Sequence, residues 1–296
     1  MSGLSVLKFI TTHPLSRGKQ IDAVMRFAKW QIGCRLVGGD VVHGWVNGSK
    51  FLVRAGETGL TGNVYTGLHE FADMGFLLHV LRKEDLFVDV GANAGSYSIL
   101  AGGAVGAHVC AFEPVHSTYN RLVQNVRLNR LEDRVRCLNV AVGCDSGTVK
   151  FTSDLDTVNH AIVEGESRIN TVDVEVVTLD DVLRDQNPFL VKIDVEGYEA
   201  AVLQGAVEML GKKGLQSLII ELNGSGNRYK FEESRILESM LDLGFQRYSY
   251  NPLSRSLRNL GCDSLPLANT LFIRDKSEVL ERIASAPLVT VLGKTF

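Results

Sequence analysis

The sequence of 296 residues lacks the features that mark several classes of protein. Its five cysteines are odd in number and have no paired spacing, so neither a zinc motif nor a disulfide framework is present. No apolar run approaches the roughly 18 residues of a membrane span, and the N-terminus has no small-residue cleavage site typical of a signal peptide. We therefore expect no membrane span and a reducing, cytoplasmic location.

Strong charge of one sign is also missing. The net charge is −3, and the contents of hydrophobic residues (45%) and charged residues (22%) are ordinary for a globular protein. Residues 1–85 carry 10 Lys and Arg against 7 acids, and the remaining 211 residues carry 21 against 27. Because the larger part is mildly acidic, a polyanion such as nucleic acid is not expected as a partner.

The first 85 residues differ in pattern from the rest. Residues 21–32 have apolar side chains at helical spacing, and residues 41–53 alternate around an Asn-Gly turn, which predicts a hairpin. Residues 71–81 predict a further helix. We interpret residues 1–85 as an α+β extension, an N-terminal cap or substrate-side extension on the main domain. The alternative is an embellishment without a role in the site.

Residues 86–296 predict the main domain. Apolar strands alternate with helices from residue 86 onward, as a parallel sheet requires. The last two strands, at 245–250 and 270–274, are joined by a segment too short for a crossover helix, which favours an antiparallel pair. The pattern predicts a Rossmann-like α/β fold whose seven-stranded sheet is mostly parallel, with an antiparallel last strand.

The most informative segment is LFVDVGANAGSYS, residues 86–98. An apolar strand ends at Asp89, breaks into Gly91, Asn93 and Gly95, and continues into a helical run that begins near Tyr97. Glycine permits backbone conformations and close approaches that other residues do not. In open α/β sheets the ligand crevice lies at this end of the first strand. These five residues are therefore candidate cofactor-binding residues.

An acid at the end of the second strand supports this interpretation. Glu113 lies 24 residues after Asp89, close to the spacing of roughly 20 at which a carboxylate binds ribose hydroxyls. Asp89 is poorly suited to a pyrophosphate but suits an ammonium group. A nucleoside that carries an α-amino acid matches both acids, and S-adenosylmethionine is such a ligand. The alternatives are a NAD site and a Rossmann-like scaffold with no ligand.

Acids also follow the fourth main strand. Lys192, Asp194 and Glu196 alternate with apolar residues, so an extended strand would place them on one face. A charged face on a central strand is costly unless it reaches the crevice or is paired. We predict Asp194 and Glu196 as catalytic residues. His160, in the insert 156–166, is a third candidate base on a loop over the cofactor.

The fifth strand adds oxygen ligands at the same edge of the sheet. It ends in Glu221 and Asn223, which would converge with Asp194. Hard cations such as Mg²⁺ prefer oxygen ligands, so these three residues predict a metal site. The alternative is that Asp194 acts without a metal, as a base or as an orienting group.

Six segments resemble one known family, that of the FkbM methyltransferases. They are VDVGANAGSYS, AFEP, LVQNVRLN, VTLDDVL, LVKIDVEGYEAAVLQGA and LIIELN, over residues 88–222 and more loosely to 274. The resemblance implies a class I methyltransferase that uses S-adenosylmethionine to methylate a hydroxyl of a sugar or polyketide-like small molecule. N- or carboxyl-methylation, a nicotinamide-dependent oxidoreductase and a non-catalytic binding module are the alternatives. The oligomeric state, a homo-oligomer included, is open.

Overall fold

A computed structural model of the chain describes residues 3–55, 57, 59–152, 160–162, 170–229, 231–261 and 268–296. Its helices are α1 Gly3–Thr12, α2 Gln20–Val37, α3 Thr61–Thr66, α4 Phe71–Val80, α5 Ser96–Ile99, α6 His116–Leu128, α7 Leu179–Val182, α8 Glu199–Gln204, α9 Val207–Gly211, α10 Glu233–Asp242 and α11 Lys276–Ser285. Helix α5 continues as a π-helical segment, Leu100–Val105.

The strands form one large sheet and three small ones. They are β1 Val41–Gly44, β2 Lys50–Val53, β3 Leu86–Val90, β4 His108–Phe112, β5 Val135–Leu138, β6 Ala141–Val142, β7 Gly147–Thr152, β8 Thr171–Val177, β9 Pro188–Ile193, β10 Ser217–Leu222, β11 Gln246–Asn251, β12 Ser256–Asn259, β13 Ala268–Ile273, β14 Thr290–Val291 and β15 Lys294–Thr295.

The large sheet has the strand order β12-β11-β13-β10-β9-β3-β4-β5. The strands from β10 to β5 are all parallel, whereas β13 runs antiparallel between β10 and β11. This confirms the predicted Rossmann-like class I fold with its antiparallel late strand. The sheet has one strand more than predicted, because β12 pairs with β11 as an edge hairpin.

Alternate side chains of the strands build a core on each face of the sheet. Phe87 packs on one face with α4, α5, α6 and α11, while Val88 and Val90 pack on the other with α7 to α10. A parallel sheet covered by helices on both faces explains why its strands are mostly apolar in sequence. Among the described residues no helix is both long and apolar enough to cross a membrane.

The N-terminal segment packs beside the carboxyl end of the main sheet. The predicted hairpin is confirmed as β1 and β2, and the predicted helices as α2 and α4. Helices α1, α2 and α3 enclose a separate apolar cluster with β2. Arg121 of α6 ties this segment to the main domain through ion pairs with Asp40 (2.8 Å) and Glu57 (3.1 Å).

Candidate functional site

The site lies where the order of the parallel strands reverses. Strands β4 and β5 lie on one side of β3 in the sheet, and strands β9 and β10 lie on its other side. Between such strands the loops diverge and leave a crevice at the carboxyl ends. A cavity of about 740 Å³ opens here, lined by the ends of β3, β4, β9 and β10 and by the N-terminal segment.

The glycine turn after β3 forms one wall of the cavity. Gly91, Asn93 and Gly95 have φ angles of +82°, +51° and +94°, a region that favours glycine and tolerates asparagine. A Cβ atom on Gly91 would lie 1.8 Å from the backbone oxygen of Asp194. Gly91 is therefore needed for contact between protein segments and not only for the approach of a ligand.

Glu113 holds this turn from the end of β4. Its Oε2 accepts a hydrogen bond from the backbone N–H of Asn93 at 3.0 Å, and its Oε1 accepts one from Val115 at 2.9 Å. The side chain is 6% exposed and lines the cavity. Burial raises the pKa of Glu113 to about 7, although both N–H groups act to lower it.

The other predicted cofactor residues lie in the same wall. Asp89 is buried and accepts a 2.6 Å hydrogen bond from the hydroxyl of Ser98, and burial raises its pKa to about 6. Tyr97 donates its hydroxyl to Glu70 at 2.7 Å. Asp89, Gly91, Asn93, Tyr97 and Glu113 all line the cavity, and Gly95 closes the turn beside it.

Lys192 is a buried cation at the centre of the site. It lies opposite Asp89 in the pairing of β3 with β9. Its Nζ is 2.5 Å from Oδ2 of Asp194 and 4.6 Å from the centre of the Tyr97 ring. Burial alone would lower the pKa of Lys192, but nearby carboxylates, Asp194 foremost, raise it above the usual value. The ammonium group therefore stays charged and orients Asp194.

Three carboxylates meet at the ends of β9 and β10. One oxygen atom from each of Asp194, Glu196 and Glu221 lies within 4.8 Å of the other two. Burial, and then the charge of Asp194, raise the pKa of Glu196 to about 7 and that of Glu221 to about 9. Like charges at this distance cannot all ionise near neutral pH, so the cluster retains at least one proton there.

A buried glutamate fixes the loop that carries Glu196. Oε1 of Glu199 accepts hydrogen bonds from the backbone N–H groups of Val195 and Gly197, both at 3.1 Å. Glu196 itself has a φ of +54°, a strained conformation for a side chain without a locally bonding group. The loop thus directs Glu196 towards Asp194.

Asn223, the third predicted metal ligand, takes part in a local turn. It is exposed, and its Oδ1 accepts a hydrogen bond from the N–H of Ser225 at 2.9 Å. Glu196, which was predicted as a catalytic residue and not as a ligand, lies with Asp194 and Glu221 in the carboxylate cluster.

His160, the predicted base in the insert, is buried beside the end of β7. Its backbone oxygen accepts a hydrogen bond from the N–H of Thr152, and its own N–H donates to the Thr152 hydroxyl. Its place on a loop over the cofactor stays a prediction. His160 is absent from the described lining of the cavity. The rest of the insert, apart from residues 161 and 162, lies outside the described residues.

The N-terminal segment contributes apolar and aromatic side chains to the lining of the cavity. They are Val6 and Phe9 of α1, Phe27 and Trp30 of α2, and Tyr65 of α3. They come from three helices, so the packing of these helices brings them to one cavity.

Ionisable side chains are concentrated at the strand ends. Seven acidic residues and two Lys or Arg residues are among those that line the cavity: Glu57, Glu70, Asp89, Glu113, Asp194, Glu196 and Glu221, with Arg35 and Lys192. The described lining therefore holds more acids than bases, although burial keeps part of these acids protonated near neutral pH. This excess of acids disfavours a bound anion.

Glu70 and its partner Asn269 were not predicted from the sequence. Glu70 accepts hydrogen bonds from Tyr97, which lies 27 positions later, and from Asn269, which lies 199 positions later and donates at 2.8 Å. No local pattern signals contacts of that separation. The ion pair of Lys192 with Asp194 did have a signal, since the two residues alternate on one strand.

Comparison with known proteins identifies the family of the chain. The family described as "Methyltransferase FkbM domain" matches residues 89–247. The chain is 31% identical to the hexuronic acid methyltransferase AglP of Haloferax volcanii over 151 residues, which cover 50% of this chain and 59% of AglP. It is 28% identical to the methyltransferase sdnD of Sordaria araneosa, with 47% of this chain and 66% of sdnD covered. The matches thus span less than two thirds of either relative.

A solved structure is also similar. An rRNA methylase from Streptococcus thermophilus has a TM-score of 0.41 at 15% identity, with 68% of this chain and 93% of that one covered. The family match carries the assignment, because it includes the glycine turn, Glu113 and the carboxylate cluster and covers more than half of the chain. The chain is therefore a member of the FkbM methyltransferase family.

Proposed function

We propose that the protein transfers the methyl group of S-adenosylmethionine to a hydroxyl group of a sugar or polyketide-like small molecule. The observation that carries this proposal is the continuous cavity. The glycine turn, Glu113, the carboxylates of Asp194 and Glu196, and aromatic side chains of the N-terminal segment all line it. In this proposal the glycine turn and Glu113 form the cofactor end, Asp194 and Glu196 the site of proton transfer, and the N-terminal segment the acceptor end of that space.

The residues at the cofactor end fit S-adenosylmethionine. Glu113 presents a carboxylate at the wall whose remaining lone pairs can accept from ribose hydroxyls. Asp89 supplies a second buried carboxylate in the same wall, which suits the ammonium group of the methionine part. Gly91 and Asn93 lie in the same wall as these two acids.

When bound, this cofactor supplies an electrophilic methyl group on a sulfonium that leaves as a neutral thioether. The chain must then position the acceptor hydroxyl and take up its proton. We assign the proton to Asp194, which Lys192 holds at 2.5 Å. Glu196 is the second candidate, because a group with a pKa of about 7 accepts and releases protons readily near neutrality. His160 is not assigned a role, since it does not line the described cavity.

The same carboxylates would hold a divalent cation. Asp194, Glu196 and Glu221 offer the oxygen ligands that Mg²⁺ prefers. Lys192, however, already places a positive charge on Asp194 and would repel a second cation. This arrangement supports proton transfer to Asp194 without a metal.

The acceptor is proposed to be uncharged at the part that enters the cavity. AglP, the relative at 31% identity, is named for a hexuronic acid. An acidic sugar would meet seven acids and two Lys or Arg residues in the described lining of this chain. Trp30, Tyr65 and Phe27 offer instead the aromatic faces on which a neutral sugar ring or an apolar ring system packs. In this proposal residues 1–85 form the substrate-side cap.

Two measurements test the proposal. Isothermal titration should give binding of S-adenosylhomocysteine and none of NAD, and the reverse result would refute the cofactor assignment. Transfer of a labelled methyl group should then be compared between a neutral glycoside and the matching uronic acid. We expect transfer to the neutral hydroxyl compound, and exclusive transfer to the uronic acid would refute the proposed acceptor class.

A further inference from the structure

Helix α2 has two apolar faces on opposite sides. Ala23, Trp30 and Cys34 are buried against α1 and α3. A second set of apolar side chains points in the opposite direction, because residues at intervals of four and eleven share one side of a helix. Within the described residues, other side chains cover the first set, and the second set is exposed.

The outward set forms a continuous stripe. Ile21 is 78% exposed, Met25 48%, Ile32 62% and Leu36 80%. With 18 residues, α2 extends for about 27 Å, and the stripe runs along nearly all of it. Singly exposed apolar residues are common, but a contiguous apolar stripe marks an interaction surface.

The charges around this stripe show which kind of partner fits it. Residues 1–37 contain six Lys or Arg residues and one acid, whereas the remaining 259 residues contain 25 Lys or Arg residues and 33 acids. Lys29 is exposed on one flank of the stripe, and Arg35, which also lines the cavity, is exposed on the other. Arg17 and Lys19 are exposed just before the helix. The most basic part of the chain therefore surrounds its exposed apolar helix.

We propose that α2 docks in the surface of an anionic lipid bilayer. A helix with an apolar face and flanking cations lies in the plane of such a surface, with its apolar side chains in the boundary of head groups and acyl chains. A second copy of this chain is the rival occupant. A two-fold contact through α2 would bring one positive segment against another, which charge repulsion opposes.

The docked face is close to the acceptor end of the cavity. Phe27 and Trp30, on the inner side of α2, line that end. The thickness of one helix thus separates the proposed lipid surface from the proposed acceptor site. The docking proposal does not depend on the catalytic one, because it concerns the outer side of α2 only.

Flotation of the full chain with vesicles tests the proposal. We expect binding to vesicles of phosphatidylcholine with about 30% phosphatidylglycerol, weak binding to phosphatidylcholine alone, and release as NaCl rises. The variant Ile32→Ser/Leu36→Ser should lower the partition coefficient about 10-fold or more. A matched control is Val207→Ser/Leu288→Ser, since Val207 and Leu288 are 66% and 72% exposed on the main domain. The control should bind as the parent does.

A charge variant provides a second measurement that does not alter the apolar stripe. Lys29→Glu should weaken binding to the anionic vesicles, and the control Lys213→Glu, at another exposed lysine, should not. Absence of binding to anionic vesicles by the parent, or unchanged binding by both α2 variants, would overturn the proposal. A dimer in light scattering that Ile32→Ser/Leu36→Ser converts to a monomer, with no vesicle binding, would assign the stripe to a second copy instead.

Discussion

Glu113→Gln should stabilise the protein at alkaline pH and at the same time weaken cofactor binding. The pKa of Glu113 is about 7 in the folded chain against an ordinary value of 4.5. At about 1.4 kcal/mol per pKa unit, the ionised carboxylate is disfavoured in the fold by about 3 kcal/mol. Glutamine removes this charge and keeps one carbonyl acceptor for the two N–H groups of Asn93 and Val115. The lost hydrogen bond costs about 1 kcal/mol.

The sign of this effect depends on pH. Between pH 4.5 and 7 the folded chain binds the Glu113 proton more tightly than the unfolded chain does. The free energy of unfolding of the parent therefore falls as pH rises through this window, and the Glu113→Gln variant lacks this dependence because its amide does not titrate. We expect the variant to be about 2 kcal/mol more stable than the parent at pH 8 and about 1 kcal/mol less stable at pH 4.5. Urea unfolding at both pH values measures the difference.

Cofactor binding should change in the opposite direction. A hydrogen bond to a charged group contributes about 1.5–3 kcal/mol and one to a neutral group about 0.5–1.5. Affinity for S-adenosylhomocysteine should thus fall about 5- to 10-fold in Glu113→Gln at pH 8, and further in Glu113→Ala. Unchanged affinity in Glu113→Ala would refute the ribose assignment.

Glu199→Gln is the matched control. Glu199 is also buried, also accepts two backbone N–H groups, and also has a pKa of about 7. It does not belong to the described lining of the cavity. Its variant should show the same pH-dependent stability with affinity within about two-fold of the parent. Equal loss of affinity in both variants would mean that loop order, and not ribose contact, is measured.

Asp194→Asn should lower the rate of methyl transfer by about 10² or more, as expected for loss of a base. Its affinity for S-adenosylhomocysteine should stay within a few-fold of the parent. A fully active variant would remove Asp194 from the mechanism. Activity should survive a chelator, because Lys192 already neutralises Asp194; loss of activity that Mg²⁺ or Mn²⁺ restores would contradict this. Glu221→Gln should raise the melting temperature more at pH 9 than at pH 5. The pKa of Glu221 is raised from 4.5 to about 9 in the fold, so the parent loses stability as pH rises between these two values. A difference that is constant with pH would refute the burial of that carboxyl.

Local sequence was sufficient for the elements that short-range physics dictates. The run from Leu86 to Val90 is apolar except for Asp89 because both of its faces are covered, and the glycines that follow it have positive φ angles. The position of Glu113 at the end of the second strand followed from the apolar run before it, residues 108–112, and from its spacing of 24 residues after Asp89. The antiparallel late strand followed from a connection too short for a crossover helix.

The composition of the carboxylate cluster required the tertiary structure. Asp194 was predicted with Glu221 and Asn223, but whether a side chain after a strand points into the crevice depends on the turn that follows. Asn223 bonds to Ser225 two residues later, whereas the loop held by Glu199 directs Glu196 inward. These hydrogen bonds span only a few residues, but the apolar periodicity that predicts the strands does not specify them. How the two turns face each other depends on the pairing of β9 with β10.

By itself, then, the sequence determined the strand, the glycine turn and the acids at the strand ends, because each depends on neighbours within a few positions. The tertiary structure decided which distant groups meet there. Glu70 accepts a hydrogen bond from Tyr97, and Lys192 lies opposite Asp89 and pairs with Asp194. Aromatic side chains of α1, α2 and α3 line the same cavity. It also decided that one face of α2 stays exposed. Such contacts form only when separate elements pack, since burial and charge pairing act through space and not along the chain.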